Sequence, residues 1–427
     1  MSRARVVSFP AELLERITLL LSLKHRVRFC STCKRLRQLG ASSQTLWETV
    51  SWAGAGFDSY HSFAAWVSRH ARQLRRLSLS LAFAPATQED VAHITHFLLG
   101  CLNNSPLLSL SIRAFFCRLP VLAVVGQLRH LKQLRLTDFR SSNPSLLSVP
   151  KQLSLLRGLT CLDLWQRHGY ALADGCLPAS LLCLRIGLGA VTLPPAILAA
   201  TQLQRLELRL DQKPEPSPLD CAGLDALSHL TMLGLRRCDL HSPPPQLLHL
   251  SKLMVLDLAG NRGLEAAALV PLAQLTTLRE LDLSSCDLRD LPGELFRPLS
   301  LAALSLADSM NSMWLPLEVP QGLQSPQSLS TNVGAISEEG FPSLTALTHL
   351  HLSSPDEPFG TLFENFLSLP KLQRVTFDSE VARLMGSAAA LDSFVTFLRS
   401  IPHVECGSLV EYVLPLASQL VRWDKVS

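Results

Sequence analysis

Leu253-Met254-Val255-Leu256-Asp257-Leu258-Ala259-Gly260-Asn261 is the stretch on which the reading of this chain turns. Its core, Leu-x-x-Leu-x-Leu, stands also at Leu74-Leu77-Leu79, Leu107-Leu110-Ile112, Leu131-Leu134-Leu136, Leu159-Leu162-Leu164, Leu181-Leu184-Ile186 and Leu203-Leu206-Leu208. It continues at Leu230-Leu233-Leu235, Leu278-Leu281-Leu283, Leu301-Leu304-Leu306, Leu347-Leu350-Leu352 and Leu372-Val375-Phe377. Most start-to-start steps are 22 to 28 residues; two are longer, 107 − 74 = 33 and 347 − 301 = 46. The first holds an extra helical pattern over 91–102. The second is about two periods, which predicts a degenerate copy near 326–331.

A step in the twenties with this pattern is the leucine-rich-repeat signature. Leu-x-Leu puts two apolar side chains on one face of a short strand, because side chains alternate along it. One repeat cannot bury that face alone, so neighbouring repeats stack. The expected fold is an α/β solenoid, a horseshoe with a parallel concave sheet, preceded by a small all-α domain. Turns, short helices or extended segments return on the convex side, as at 194–198 and 292–296. The residue three after the last leucine must satisfy the turn backbone. It is Asn261 in one repeat, Cys238 and Cys286 in others, and irregular at Phe139, Arg167, Asp211 and Ser309. No single repeat subclass follows.

Ahead of the repeats, residues 8–50 are of a different kind. Pro10 suits a first helical turn, where its missing N–H costs nothing. Leu13, Leu14, Ile17, Leu20 and Leu21 follow at helical spacing, then Val27, Phe29, Cys30, Cys33 and Leu36 over a basic run, then Leu46-Trp47. Three short helices in about 43 residues bury too little to be self-sufficient, so apolar surface is expected to remain for a partner.

Phe9-Pro10-x-Glu12-Leu13-Leu14-x-x-Ile17, Cys33-Lys34-Arg35-Leu36-Arg37 and Leu46-Trp47 resemble an F-box. Phe9 stands where Leu is usual and Leu36 where Trp is common. The resemblance implies an adaptor-binding face made of Phe9, Pro10, Leu13, Leu14, Ile17, Leu20, Leu36 and Trp47. The partner would be a Skp-type adaptor and, through it, cullin and RING subunits. An F-box followed by leucine-rich repeats resembles the substrate receptors of SCF-type ubiquitin ligases. The expected division is F-box 1–52, linker helix 53–73, a solenoid of about 12–13 repeats over 74–380, and a C-terminal helical cap over 381–427, where Leu391, Phe394, Val395 and Leu398 have helical spacing.

Composition narrows the class. The chain has 427 residues, 47% hydrophobic and 17% charged, which excludes wholesale disorder. A net charge of +4 argues against general nucleic-acid or membrane binding. No run reaches the ~18 apolar residues of a membrane span, and Pro10, Glu12 and Glu15 interrupt any signal-peptide core. Eleven scattered cysteines read as reduced thiols of the cytoplasm or nucleus, with cytoskeleton or ciliary axoneme left open.

Nothing points to catalysis, a cofactor or a metal. Cys30-x-x-Cys33 lacks a second pair at zinc spacing and reads as helix core; His349 and His351 read as a surface pair. Binding is better supported. The residues between and after the last two leucines should face the concave surface. Arg113, Arg135, Arg185, Arg209, Arg236 and Arg237 occupy these places, with Trp165-Gln166 among them and Arg205 beside them. Later repeats place Asp257, Asp282, Asp308 and Asp378 there instead. Arginine's planar fork suits carboxylate or phosphate, and Trp165 is a candidate anchor. Arg113, Arg135, Trp165, Arg185, Arg205, Arg209, Arg236 and Arg237 are therefore the candidate substrate-binding residues, for an acidic or phosphorylated protein. The plainer alternative is a solvated sheet face. Residues 211–220 read as an extended Pro-rich loop, and 309–340 as a decayed repeat with a connection or an ordered binding loop. The expected function is substrate recognition in an SCF-type ligase; the rival is an interaction scaffold in signalling or axonemes.

Overall fold

The computed structural model describes residues 9–43, 45–54, 57–81, 100, 102–103, 105–114, 125–138, 147–166, 168–210, 217–288, 291–296, 299, 301–307, 327–332, 345–353, 369–377 and 403–406. The chain forms two compact units, Met1–Ala190 with Pro194–Leu203, and Val191–Leu193 with Gln204–Ser427.

The first unit opens with α1 (Ala11–Leu19), α2 (Leu23–Ser31), α3 (Lys34–Ser42) and the single turn α4 (Thr45–Glu48). Pro10 caps α1, and its carbonyl accepts the Leu14 N–H at 3.1 Å. Glu12 in the first turn and Arg16 in the last oppose the helix dipole. Cys30, Leu46 and Trp47 form the core, with Leu23, Val27, Leu39 and Trp66 packed on it. At Gly40 a Cβ would meet Cys30 Cβ at 3.1 Å, so α3 lies close on α2 only because that side chain is absent. Cys33 is not core: its Sγ accepts the Leu36 N–H at 3.5 Å and caps α3.

The sheet begins earlier than the leucine pattern. Strand β1 (Thr49–Gly54) precedes the first copy and pairs in parallel with β2 (Arg76–Leu81). Between them runs α5 (Phe57–His70), the helix expected over 53–73, which buries Tyr60, Phe63 and Val67. Trp52 of β1 stacks on Phe63 at 4.8 Å, and Trp66 meets Trp47 edge-on at 5.1 Å. This aromatic run joins the helical start to the sheet. β1 lacks leucine because Trp52 fills the place that a leucine fills elsewhere.

Strands β3 (Ser109–Ala114) and β4 (Gln133–Asp138) follow in parallel, and a short β5 (Leu147–Val149) leaves the sheet. β6 (Cys161–Gln166) pairs with β4; β7 (Tyr170–Leu172) pairs with β5; and β8 (Cys183–Gly187) pairs with β6. Burial alternates along each main strand, as in β6, where Leu162 and Leu164 are buried and Cys161, Asp163 and Trp165 are half-buried. Each leucine so placed contributes about 1.5–3 kcal/mol over its exposed state.

In the second unit β9 (Arg205–Arg209), β10 (Met232–Arg236), β11 (Val255–Asp257), β12 (Glu280–Asp282) and β13 (Ala303–Ser305) pair in parallel order. β14 (Ser328–Asn332) stands where the long step predicts a degenerate copy, and it pairs with β13 and β15 (His349–Ser353). β16 (Arg374–Phe377) and β17 (His403–Cys406) complete the run. β17 lies inside the expected helical cap 381–427 and pairs in parallel with β16, so the repeat pairing extends past 380. The helical spacing at 391–398, the loop at 211–216, the pattern at 91–99, Asp308, Asp378 and most of 309–340 lie outside the described residues. Beyond α5, the helical returns among the described residues are 3₁₀ or α stretches of three to nine residues, such as Pro195–Leu198, Pro245–His249 and Ala266–Gln274. No described helix is long and apolar enough to cross a membrane.

Asn261 performs the task its place predicts. Its Oδ1 accepts the N–H of Cys238 at 2.9 Å and of Leu240 at 3.2 Å; its Nδ2 donates to the carbonyls of Leu235 at 2.8 Å and Leu258 at 2.5 Å. The turn leaves Arg237, Gly260 and Ser285 at φ +51°, +78° and +56°, two residues past their leucines. Cys238 and Cys286 take the same place with weaker bonds, Cys286 Sγ donating to the Leu258 carbonyl at 3.2 Å.

Candidate functional site

The helical start divides the eight expected adaptor-binding residues into two groups. Leu14, Leu36 and Trp47 are turned inward, each 2% exposed or less. They hold the helices together and leave almost no surface exposed. Leu14 faces inward beside Thr18, whose hydroxyl donates to the Leu14 carbonyl at 2.6 Å, and the Trp47 indole N–H donates to the Gly40 carbonyl at 2.5 Å. Pro10 is exposed, Phe9 and Ile17 are half-buried, and Leu13 and Leu20 are 41% and 87% exposed. Leu19, which the helical spacing passes over, is 43% exposed and joins them. Leu13 in the first turn and Leu20 just past the last share one side of α1 at i and i+7 spacing, with Leu19 next to Leu20, and bared leucines so placed are an apolar surface of the kind a partner covers.

Two polar devices hold α1 in place. Arg26, part of the basic run, points inward: Nη1 donates to the Leu46 carbonyl at 2.6 Å, and Nη2 to those of Leu19 at 3.2 Å and Leu21 at 3.3 Å. Burial lowers its pKa. Glu15 accepts hydrogen bonds from the hydroxyls of Ser43 and Thr45. Those bonds, Ser43 first, hold its carboxyl below the usual carboxylate range against a smaller upward push from burial. Helical spacing gave no signal for either, because both act across loops.

The second candidate surface is the polar face of the sheet. In the first unit Arg135, Asp163 and Arg185 are register neighbours on β4, β6 and β8. Two residues further along, Arg113, Thr137 and Trp165 form the next row. Arg135 Nε donates to Asp163 Oδ2 at 2.7 Å. The Trp165 ring lies across Gly187, 3.8 Å from where a Cβ would stand. Four of the expected substrate-binding residues thus share one patch. Gln166 does not: it is buried, and its side-chain amide donates to the Gly169 carbonyl, which takes it off the face.

In the second unit Arg209 and Arg236 are register partners, and Arg205 lies beside Met232. Glu207, Gly234, Asp257 and Asp282 form the row between the leucines. Arg236 is held there. Its Nε donates to Asp257, and its Nη2 lies 3.6 Å from Asp282. Asp257 is buried beneath it, and its pKa is raised, by burial first and by Asp282 next. The basic stretch and the later acidic one expected on this face meet here, with Arg236 of β10 reaching Asp257 and Asp282 of the next two strands. Arg237 is exposed on the turn beyond β10. His349 lies at the exposed edge of β15 and His351 is half-buried, its ring within 2.7 Å of the Thr376 hydroxyl. No group of three or more metal-ligating side chains occurs among the described residues.

Residues 7–47 match the F-box domain family. No curated protein matches the chain in sequence. Among solved structures the chain is similar to that of the TLR13–ssRNA13 complex, at 20% identity and TM-score 0.43, covering 73% of this chain and 41% of that one. It is similar to an internalin from Listeria monocytogenes, at 16% identity and TM-score 0.46, covering 78% and 88%. A leucine-rich-repeat protein of Leptospira interrogans matches at 18% identity and TM-score 0.38, covering 82% and 99%. The chain thus spans about two fifths of the first of these. It joins an F-box domain at residues 7–47 to a run of leucine-rich repeats on parallel strands.

Proposed function

We propose that this protein is the substrate-recognition subunit of an SCF-type ubiquitin ligase. The observation that carries the reading is the bared side of α1, along which Leu13, Leu19 and Leu20 are exposed within a domain matched by the F-box family. That face would dock a Skp-type adaptor, with Pro10 and the half-buried Phe9 and Ile17 at its margin. Through the adaptor, a cullin and a RING subunit would bring the charged conjugating enzyme. The chain itself would form no bond. It would hold a substrate lysine near a thioester, which raises effective concentration.

The polar sheet faces would select the substrate. Arg113, Arg135, Arg185 and Trp165 together suit an acidic or phosphorylated segment, since guanidinium groups can make paired hydrogen bonds to carboxylate or phosphate. In the second unit, Arg205, Arg209 and Arg237 are candidates. Arg236 serves first to hold Asp257. The site of action would be cytoplasmic or nuclear.

The test is capture of adaptor and cullin by the full chain, beside Leu13→Asp/Leu20→Asp. Both positions are exposed, so the variant separates docking from folding, which a change at Leu14 cannot do. The reading expects cullin with the wild type and none with the variant. A folded wild type that captures neither adaptor nor cullin would leave an interaction scaffold instead.

A further inference from the structure

Cys161 of β6 and Cys183 of β8 are register partners on adjacent parallel strands, one residue before buried Leu162 and Leu184. Adjacent strands lie about 4.8 Å apart and register partners point to the same side. That spacing falls inside the roughly 4.4–6.8 Å range of Cα separations that a disulfide spans. Both thiols are half-buried on the polar face of the sheet. Six other cysteines differ. Cys30, Cys176, Cys221, Cys238 and Cys286 are buried, and Cys33 caps α3.

Their chemistry differs as well. Burial pushes Cys221 and Cys286 up to about 12 and raises Cys30 and Cys176. Cys161 moves the other way, to about 7, first because the Cys183 thiol hydrogen-bonds to it. Burial and Asp163 oppose the shift; Arg185 and Arg135, which flank it on the next row, support it. An attacking thiol is most effective when its pKa lies near the ambient pH.

We infer that Cys161 and Cys183 form a thiol–disulfide exchange site, in which Cys161 attacks a small disulfide such as oxidised glutathione and Cys183 resolves the adduct. The Cys161 thiolate attacks one sulfur of the small disulfide, forming a mixed disulfide and releasing one small thiolate. Cys183 loses its proton to water and attacks the Cys161 sulfur. The Cys161–Cys183 bond forms and the second small thiolate leaves. Two protein thiols are oxidised, one small disulfide is reduced to two thiols, and the link reverses with excess small thiol. It would tie two neighbouring repeats together beside Arg135, Asp163, Arg185 and Trp165.

The test treats the full-length protein with oxidised glutathione at pH 7, blocks free thiols, and maps tryptic peptides without reduction. Cleavage after Arg157, Arg167 and Arg185 places Cys161 and Cys183 on separate peptides, 158–167 and 168–185. Peptide 168–185 also holds Cys176, so the expected result is a link between these two peptides that fragmentation places on Cys183, with Cys176 blocked, and that dithiothreitol removes. Cys183→Ser should stop at a glutathione adduct on Cys161, and Cys161→Ser should leave Cys183 unmodified. As a check without substitution, alkylation of Cys161 by iodoacetamide should be half-maximal near pH 7 in the folded protein and near the ordinary ~8.5 in urea. A wild type that shows no link, or an adduct without a link, would overturn the inference. So would a folded Cys161→Ser whose Cys183 reacts as fast, or a folded-state alkylation midpoint that matches the one in urea.

Discussion

Replacing Asn261 by alanine is expected to be the most damaging single polar substitution in the second unit. The side chain is fully buried and makes four hydrogen bonds to main chain. Without it the N–H groups of Cys238 and Leu240 and the carbonyl of Leu235 lose a partner. The Leu258 carbonyl keeps the Cys286 thiol at 3.2 Å. Three orphaned buried groups cost about 1–3 kcal/mol each. One water entering the space of the lost carboxamide can re-satisfy part of this, so the expected loss is about 3–5 kcal/mol. Because solenoid repeats depend mainly on their neighbours, the loss should be local. The assay is urea denaturation followed by circular dichroism, paired with hydrogen exchange at the Cys238 and Leu240 amides. Both amides should lose protection, while amides in β2 and β3 keep theirs. A loss below about 1 kcal/mol, or unchanged protection at those two amides, would refute the reasoning.

Other substitutions distinguish sheet-face ion pairs by depth. Arg236→Met strands the buried Asp257 beside Asp282 and should cost about 1–3 kcal/mol, whereas Arg135→Met breaks a more exposed pair and should cost under about 1 kcal/mol; equal costs in urea melts would contradict this. The Glu15 carboxyl is held below its ordinary range by Ser43 and Thr45. Its stabilising contribution is therefore full above the unfolded pKa of about 4.3 and is lost as pH falls through the lower folded value. Thermal melts read by tryptophan fluorescence should show the wild type losing more stability than Glu15→Gln between about pH 5 and 3; parallel curves would sink the assignment. Leu46→Ala should unfold the helical start at a cost of about 2–5 kcal/mol while leaving β9 to β13 folded by hydrogen exchange; loss of protection across those strands would contradict that.

Much of the fold was legible because one residue type repeats at one spacing. Leucine positions marked twelve of the seventeen described strands, and the 46-residue gap placed β14 before its side chains did. β1 escaped because Trp52 and the helix packed on it replace the usual leucine. The inward turn of Leu14, Leu36 and Trp47 was not legible, since helical spacing identifies an apolar stripe without saying which half the neighbouring helices cover. The inward turn of Arg26 within the basic run was not legible because its three carbonyl partners come from the end of α1, the following turn and α4. The sheet face was legible as a list of residues but not as pairs. That Asp163 reaches Arg135, or Asp257 reaches Arg236, depends on register across 28 and 21 residues. The same register brings Cys161 against Cys183, a pairing that aligning the two repeats on Leu162 and Leu184 could have found.

The central claim is that the exposed side of α1, from Leu13 to Leu20, is a docking face for a Skp-type adaptor. Its most direct test is titration calorimetry of the full chain with that adaptor, for wild type and for Leu13→Asp/Leu20→Asp. The account predicts a stoichiometric complex for the wild type and at least about 30-fold weaker binding for the variant, the loss of about 2 kcal/mol expected at an interface hot spot, with unchanged melting. Equal affinity for the two folded proteins, or no binding by the wild type, would contradict it.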